Sequence, residues 1–355
     1  MTASSLPLRW TDTERESAFK AWLVALPDEL GLNADSLRVA SADASFRRYL
    51  RLDSEQGPRI VMDAPPAHED CGPFVKIAAL LRSGGLDAPE VLHWDREHGF
   101  MLLGDLGNTT FLTALAGRDA RAAAPLYLAA IDALVKLQCI GAAEARAAGV
   151  ADYDRALLRR ELDLFPDWYI GKHCGRTSSD AERGQLERAF ELILDACTAQ
   201  PGVLVHRDYH SRNLMLSGGE SAAPGILDFQ DAVWGPITYD IASLLRDAYI
   251  EWDEDVQLDW AVRYWERARK AGLPVDADFG AFWRDFEWMA LQRHLKVLGI
   301  FARLSHRDGK HGYLRDLPMV WRYAHRVASR YAGLQPLALL LEDLAGTERR
   351  TGYTF

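Results

Sequence analysis

The sequence predicts an α+β fold with a small N-terminal antiparallel sheet and a larger, mostly helical C-terminal part. Short β-branched and aromatic runs separated by turn residues occur up to residue 104, which is typical of antiparallel strands. After residue 107 apolar residues recur mostly at intervals of three and four, which is the spacing of a helix face. The chain has 355 residues, which is longer than one average domain, and its hydrophobic content of 48% is enough for a large core. We therefore expect two domains, residues 1–104 and residues 105–355.

The N-terminal part is predicted to contain two helices and five strands. Residues 11–14 have the spacing of a capping box and start a first helix, which Pro27 ends. A second helix begins at Pro73 and stops before a glycine pair. The strands are predicted at residues 37–40, 46–52, 59–62, 91–94 and 100–103.

A strand–loop–strand–turn–strand pattern interrupts the helical C-terminal part. The apolar residues 203–205 end in a polar loop that contains Asp208 and Asn213, in the spacing His-x-Asp-x-x-x-x-Asn. A third apolar run, residues 225–227, ends on Asp228. Because a loop and a hairpin end can meet at one edge, we expect these three polar side chains to come together.

The residue types at these strand ends suit phosphoryl transfer. Asp208 would orient an attacking hydroxyl and accept its proton, while Asn213 and Asp228 would supply oxygen ligands to the Mg²⁺ that bridges the phosphates of ATP. One alternative is that all three are ordinary turn residues. Another is that His206, Asp208 and His210, which alternate along the chain, bind a transition metal.

This stretch resembles the catalytic core of the aminoglycoside-phosphotransferase group of kinase-like enzymes. The resemblance implies a protein-kinase-like bilobal fold that uses ATP and Mg²⁺, with His206 as a supporting residue of the motif. It also implies that Asp240 accepts hydrogen bonds from the catalytic loop, the alternative being an exposed acid in the first turn of a helix. Either His210 or Arg212 would bind phosphate or brace the loop.

The resemblance also indicates where the nucleotide binds. Residues 41–45 would form the lid over the phosphates, although this turn lacks glycine and a plain hairpin is the alternative. The third strand lacks the lysine that kinases use for the phosphates. We expect Arg47, which shares a strand face with Ser45, to replace that lysine in preference to Arg48. The alternative is that both arginines are solvated charges.

The hinge between the two lobes is predicted just after the fifth strand. Residues 103–107 resemble the kinase hinge, whose backbone amide and carbonyl groups pair with the edge of adenine. Leu103 and Asp105 are therefore the candidate adenine-binding positions.

Further similarity points to a narrower family. Residues 41–50, 62–66, 206–215 and 292–301 resemble the bacterial N-acetylmuramate and N-acetylglucosamine anomeric kinases of peptidoglycan recycling. The resemblance implies phosphorylation of the anomeric hydroxyl of an amino sugar with ATP, ahead of a uridylyltransferase. The lactyl carboxylate of N-acetylmuramate would favour an arginine or lysine partner, which the sequence does not identify. Arg293, Lys296 and Arg303 lie on one predicted helix, where a solvated face is the expected role.

Composition excludes several other classes of protein. The net charge of −10 disfavours a nucleic-acid partner and agrees with a cationic substrate such as an aminoglycoside. No secretory signal or apolar stretch long enough to span a membrane is evident, and the four cysteines form no Cys-x-x-Cys pair, so a cytoplasmic enzyme is expected. Two other hypotheses stay open: a kinase of another small hydroxylated molecule, and a nucleotide-binding module without turnover.

Overall fold

The computed structural model describes residues 10, 12–41, 47–220 and 222–346 of the chain. Two compact units are present, each built from two segments of the chain. The first comprises Met1–Thr109 and Met215–Asp231, and the second comprises Thr110–Leu214 and Ala232–Phe355. Ser45 and Thr11, for which the sequence predicts a lid position and a helix cap, lie outside the described residues.

An antiparallel five-stranded sheet forms the centre of the first unit. Its order is β1–β2–β3–β5–β4, and every neighbouring pair is antiparallel. The strands are β1 (Leu32–Ser41), β2 (Arg48–Ser54), β3 (Arg59–Asp63), β4 (Val91–Asp95) and β5 (Phe100–Gly104). The five predicted strands are confirmed, and the first is longer than predicted at its N-terminal end.

Helix α1 (Thr13–Val24) covers one face of this sheet. Its N-cap is Asp12, whose carboxylate accepts hydrogen bonds from the backbone N–H groups of Glu14 and Arg15 at 2.9 and 3.0 Å. The helix therefore begins at an aspartate cap. Phe19 is buried and meets Phe100 of β5 edge-on at 5.3 Å.

Residues far along the chain complete the first unit. Strands β8 (Leu214–Met215) and β9 (Gly225–Ile226) pair with each other, and Ile226 N–H donates to the carbonyl of Asp87 at 2.7 Å. Phe229 is fully buried and lies 5.0 Å from Phe74, which belongs to α2 (Gly72–Ser83). These contacts attach the segment that carries Asp228 to the first unit.

The second unit is mainly helical. A small sheet has the order β6–β10–β7, with β10 parallel to β6 and antiparallel to β7. The helices and strands of the second unit are α3 (Phe111–Leu115), α4 (Ala120–Gln138), α5 (Ala142–Ala147), β6 (Ala151–Asp152), α6 (Arg155–Leu162), a π-helix (Phe165–His173), α7 (Asp180–Thr198), β7 (Gly202–Val205), β10 (Val233–Pro236), α8 (Tyr239–Leu245), α9 (Glu254–Lys270), α10 (Phe279–His306), α11 (Leu317–Arg330) and α12 (Gln335–Leu344). The predicted α+β class is confirmed.

The long helix α10 passes through the core of the second unit. Most of its side chains between residues 286 and 302 are buried, including Leu295 and Leu298. Gly299 allows the helix to approach the backbone of Leu164 closely, because a Cβ atom there would lie 2.4 Å from the carbonyl carbon and oxygen of Leu164. In the part of the chain that the structure describes, no helix is long and apolar enough to cross a membrane.

Candidate active site

The loop at residues 206–213 follows β7 and has a strained backbone at its start. Arg207 has φ of 75°, a conformation that costs energy for any residue except glycine. Asp240 of α8 holds this turn, since its carboxylate accepts hydrogen bonds from the N–H groups of His206 at 2.6 Å and Arg207 at 3.0 Å. Asp240 is fully buried, so it is not an exposed helix acid. The hydrogen bonds predicted for Asp240 are present.

Two further contacts anchor the middle of the loop. Asp247, just beyond α8, accepts a hydrogen bond from the N–H of Ser211 at 3.0 Å. The buried Tyr209 hydroxyl donates to the carbonyl of Ala130 in α4 at 2.8 Å. Sequence reasoning did not identify Asp247, although an acid that closely follows the apolar residues of α8 indicates a buried polar contact. The loop is thus held from both α4 and α8.

Asn213 closes the loop onto Asp208. Its side-chain Nδ2 donates to the backbone carbonyl of Asp208 at 3.0 Å, and the N–H of His210 donates to the same carbonyl, also at 3.0 Å. Because the Nδ2 of Asn213 points to the loop backbone, its Oδ1 is the atom that can serve as a metal ligand. The structure therefore places a carboxylate and an oriented amide at the end of one strand.

Nearby cations keep the Asp208 carboxyl ionised. Burial alone raises its pKa, but the electrostatic interactions with Lys296, His210 and Arg293 together outweigh this effect, so the pKa lies below its ordinary value. Asp208 is thus an anion at neutral pH and can accept a hydrogen bond, and then a proton, from a hydroxyl group.

A buried ion cluster lies close to the start of the loop. The carboxylate of Glu161 in α6 accepts from Nη2 of Arg207 at 2.5 Å and from Nζ of Lys296 at 2.9 Å. The Tyr153 hydroxyl donates to it as well, and Lys296 also contacts the hydroxyl of Tyr239 at 2.9 Å. Sequence reasoning missed Glu161, although its position three residues after Leu158 places it on the apolar face of its helix.

The solvated face predicted for the cations of α10 is wrong for two of them. Arg293 is 3% exposed and Lys296 is 7% exposed, whereas Arg303 is half-buried. The sequence pattern mixes apolar and charged residues there because the helix is surrounded by protein, and the charge of Lys296 is balanced by Glu161 of another helix.

His210 and Arg212, the two candidate phosphate-binding residues, pack around one tyrosine. The guanidinium of Arg212 lies 4.0 Å from the ring centre of Tyr249, and its Nη1 donates to the Tyr313 hydroxyl at 3.4 Å. The ring of His210 is buried and lies 5.5 Å from that of Tyr249. These contacts brace the loop, and a role of either residue toward phosphate stays a prediction.

The remaining candidate metal ligand, Asp228, belongs to the first unit. It has φ of 62°, a left-handed conformation that places it among the strained residues of the chain. Gln230 Nε2 donates to its Oδ1 at 2.8 Å, and the neighbouring Phe229 is buried. Asp228 itself is exposed, so its carboxylate is accessible from solvent.

The two arginines considered for the nucleotide phosphates both have carboxylate partners. Arg47 pairs with Glu69 at 3.0 Å, and its side chain is only 11% exposed. Arg48 contacts Asp63 and stacks over the ring of Trp10 at 4.0 Å. The interpretation of both as simple solvated charges is therefore wrong. A cation paired with an acid is also how kinases hold their phosphate-binding lysine.

The side chains of the two hinge candidates already make contacts within the first unit. Leu103 is buried in β5 and pairs with Ile60 of β3. The carboxylate of Asp105 binds the Arg51 guanidinium at 2.5 Å and accepts from the N–H of Gly107 at 2.9 Å. Only backbone groups are thus left for adenine, and that role stays a prediction.

The ligand chemistry fits magnesium better than a transition metal. His206 Nδ1 accepts a hydrogen bond from the N–H of Asp208 at 3.3 Å, so this ring nitrogen is already used within the loop. Within the described ranges, no group of three or more His, Cys, Asp or Glu side chains is placed to hold a metal ion. The oxygen atoms of Asn213 and Asp228 are ligands of the hard type that Mg²⁺ prefers.

Comparison with known proteins assigns the class. Residues 36–279 match the profile described as "Phosphotransferase enzyme family". The chain belongs to this family and is a kinase.

Relatives and solved structures agree with that class. The N-acetylmuramate/N-acetylglucosamine kinase of Neisseria meningitidis serogroup B is 46% identical over 345 residues, which cover 96% of this chain and all of the relative. The protein of the same description from Pseudomonas putida is 47% identical, and the match covers 89% of this chain and 90% of the relative. The GDP complex of aminoglycoside 2'-phosphotransferase-IIIa is 15% identical and shares the fold, with a TM-score of 0.59 over 91% of this chain and 100% of that one.

Proposed function

We propose that this kinase phosphorylates the anomeric hydroxyl of N-acetylmuramate and N-acetylglucosamine, with ATP as the donor. This proposal is supported by the sequence identity of 46–47% between this chain and kinases described for these two sugars, over nearly the full length of both chains. An anomeric hydroxyl is more acidic than an ordinary alcohol, so a carboxylate of low pKa is a sufficient base. The observation that carries the chemistry is the position of Asp208 on a loop that Asp240 and Asp247 hold by hydrogen bonds.

Each residue of the loop has a defined part in this proposal. Asp208 orients the sugar hydroxyl and takes its proton as the bond to phosphorus forms. Asn213, whose amide is oriented by the Asp208 carbonyl, would hold Mg²⁺ together with Asp228. The metal would supply neutralisation of charge on the phosphate oxygens.

The nucleotide would be held by groups of the first unit. Arg47, paired with Glu69, would take the place of the missing strand lysine, and Ser45 would lie in the lid turn. The backbone at Leu103 and Asp105 would bind adenine. Alanine replacement of Arg47 should raise the KM for ATP, with Arg48→Ala as the control; an unchanged KM for the Arg47 variant would remove this assignment.

The cellular setting follows from the same proposal. A sugar 1-phosphate is the substrate that a uridylyltransferase needs, so the enzyme would act before such a partner in peptidoglycan recycling in the cytoplasm. The sequence charge of −10 supports neither a nucleic-acid partner nor an anionic surface as a target.

Phosphorus NMR of a reaction with N-acetylmuramate, ATP and Mg²⁺ tests the proposal directly. A sugar 1-phosphate signal is expected from the wild type and none from Asp208→Asn, which should still bind ATP. N-acetylglucosamine and an aminoglycoside such as kanamycin serve as comparison substrates. Phosphorylation of kanamycin but of neither sugar would contradict the proposed substrate class while leaving the enzyme a kinase.

A further inference from the structure

Arg293 is a buried cation that lacks the partners such a group needs. The residue is 3% exposed, and its Nε and Nη1 atoms have no hydrogen-bond acceptor in the described part of the chain. Burying donors of a charged group without acceptors destabilises the folded protein. An anionic ligand beside Arg293 would supply acceptors for both of these nitrogens.

Neighbouring buried or partly buried cations of the second unit are paired with carboxylates. Lys296 and Arg207 share the carboxylate of Glu161 at 2.9 and 2.5 Å. Arg246 is fully buried and pairs with Glu287 at 3.1 Å. Arg293 forms no ion pair of this kind with any described residue.

The surroundings of Arg293 place it beside the catalytic loop. Its charge lowers the pKa of the Asp208 carboxyl, after the larger effects of burial, Lys296 and His210. The charge of Arg293 also acts to lower the pKa of the Asp240 carboxyl, which binds the start of the same loop. The guanidinium therefore interacts electrostatically with both acids, yet it forms an ion pair with neither of them.

We propose that Arg293 binds an oxyanion of the substrate at the site that Asp208 serves. The guanidinium presents parallel N–H donors that match the two oxygens of a carboxylate or of a phosphoryl group. In the reaction proposed above, on which this inference rests, two groups have that chemistry: the lactyl carboxylate of N-acetylmuramate and the phosphate carried by the sugar product.

Three ligands that differ only in their charged group separate these sources. N-acetylglucosamine is neutral, N-acetylmuramate adds the carboxylate, and N-acetylglucosamine 1-phosphate adds the phosphate. Their dissociation constants are measured by titration calorimetry for the full-length wild type, Arg293→Gln and Arg293→Lys. Arg303→Gln is the matched control, because this half-buried arginine lies on the same helix.

Arg293→Gln should bind the neutral sugar as the wild type does and lose about 10- to 100-fold in affinity for one anionic ligand. Arg293→Lys should recover part of this loss, and Arg303→Gln should lose nothing. A loss confined to N-acetylmuramate identifies the carboxylate, and a loss confined to the 1-phosphate identifies the phosphoryl group. Retained binding of the neutral sugar shows that the variant is folded.

Two results would overturn the inference alone: unchanged affinity of Arg293→Gln for both anions, or an equal loss for all three ligands while the wild type phosphorylates the sugars. A wild type that neither binds nor phosphorylates either sugar would contradict the proposed function, and this inference with it.

Discussion

Replacing Glu161 by Gln tests whether one buried acid stabilises the cations next to the catalytic loop. Glu161 is 5% exposed and accepts from Arg207 at 2.5 Å and from Lys296 at 2.9 Å. The glutamine keeps the shape of the side chain but removes its charge. The buried Lys296 then loses its carboxylate partner and keeps only the hydroxyl of Tyr239, and the partly buried Arg207 loses its ion pair with Glu161.

Breaking a buried ion pair by removing one partner costs about 3–5 kcal/mol, because the other charge is left uncompensated. A domain is stable by only about 5–15 kcal/mol, so a loss of this size is readily measured. Urea unfolding of the Glu161→Gln variant should show a lower midpoint with little change in the m-value.

Glu187→Gln is the control, because Glu187 is a 54% exposed partner of Arg159 at 2.6 Å. An exposed pair contributes at most about 1 kcal/mol. Lys296→Met completes a double-mutant cycle with Glu161→Gln, and a coupling of at least about 1 kcal/mol is expected. Equal losses for Glu161→Gln and Glu187→Gln, with no coupling to Lys296, would refute the reasoning.

Two further changes test the loop and the core. Burial raises the pKa of Asp240 to about 7, against about 3.9 in an unfolded chain, so its stabilising contribution is present below pH 4 and is lost as pH rises through 7. The stability advantage of wild type over Asp240→Asn should therefore fall by ~3 kcal/mol between pH 5 and 8 in urea unfolding, and a constant difference would contradict this. Gly299→Ala should cost about 1–3 kcal/mol through its clash with Leu164, whereas Gly312→Ala, with nothing within 4 Å, should be neutral by the same measurement.

Local patterns were sufficient to predict the strands and the loop that carries Asp208 and Asn213. Alternating or continuous apolar runs and turn residues act over a few positions, and these signals are all present in the sequence. The hydrogen-bonding role of Asp240 could also be predicted, because an acid at the start of an apolar helix needs a buried partner. Glu161 on an apolar helix face and Asp247 just after an apolar helix carried a similar signal, but Lys296 lies 135 residues from Glu161 and Ser211 lies 36 residues from Asp247.

Sequence alone established the α+β class, the order of the strands along the chain and the residue types for phosphoryl transfer, because each depends on short-range spacing. Tertiary structure decided which charges are buried and which of those are compensated. Lys296 and Arg293 lie three positions apart on one helix, yet only Lys296 meets a carboxylate. That difference depends on which distant side chains the fold brings to each point, and no local pattern encodes it.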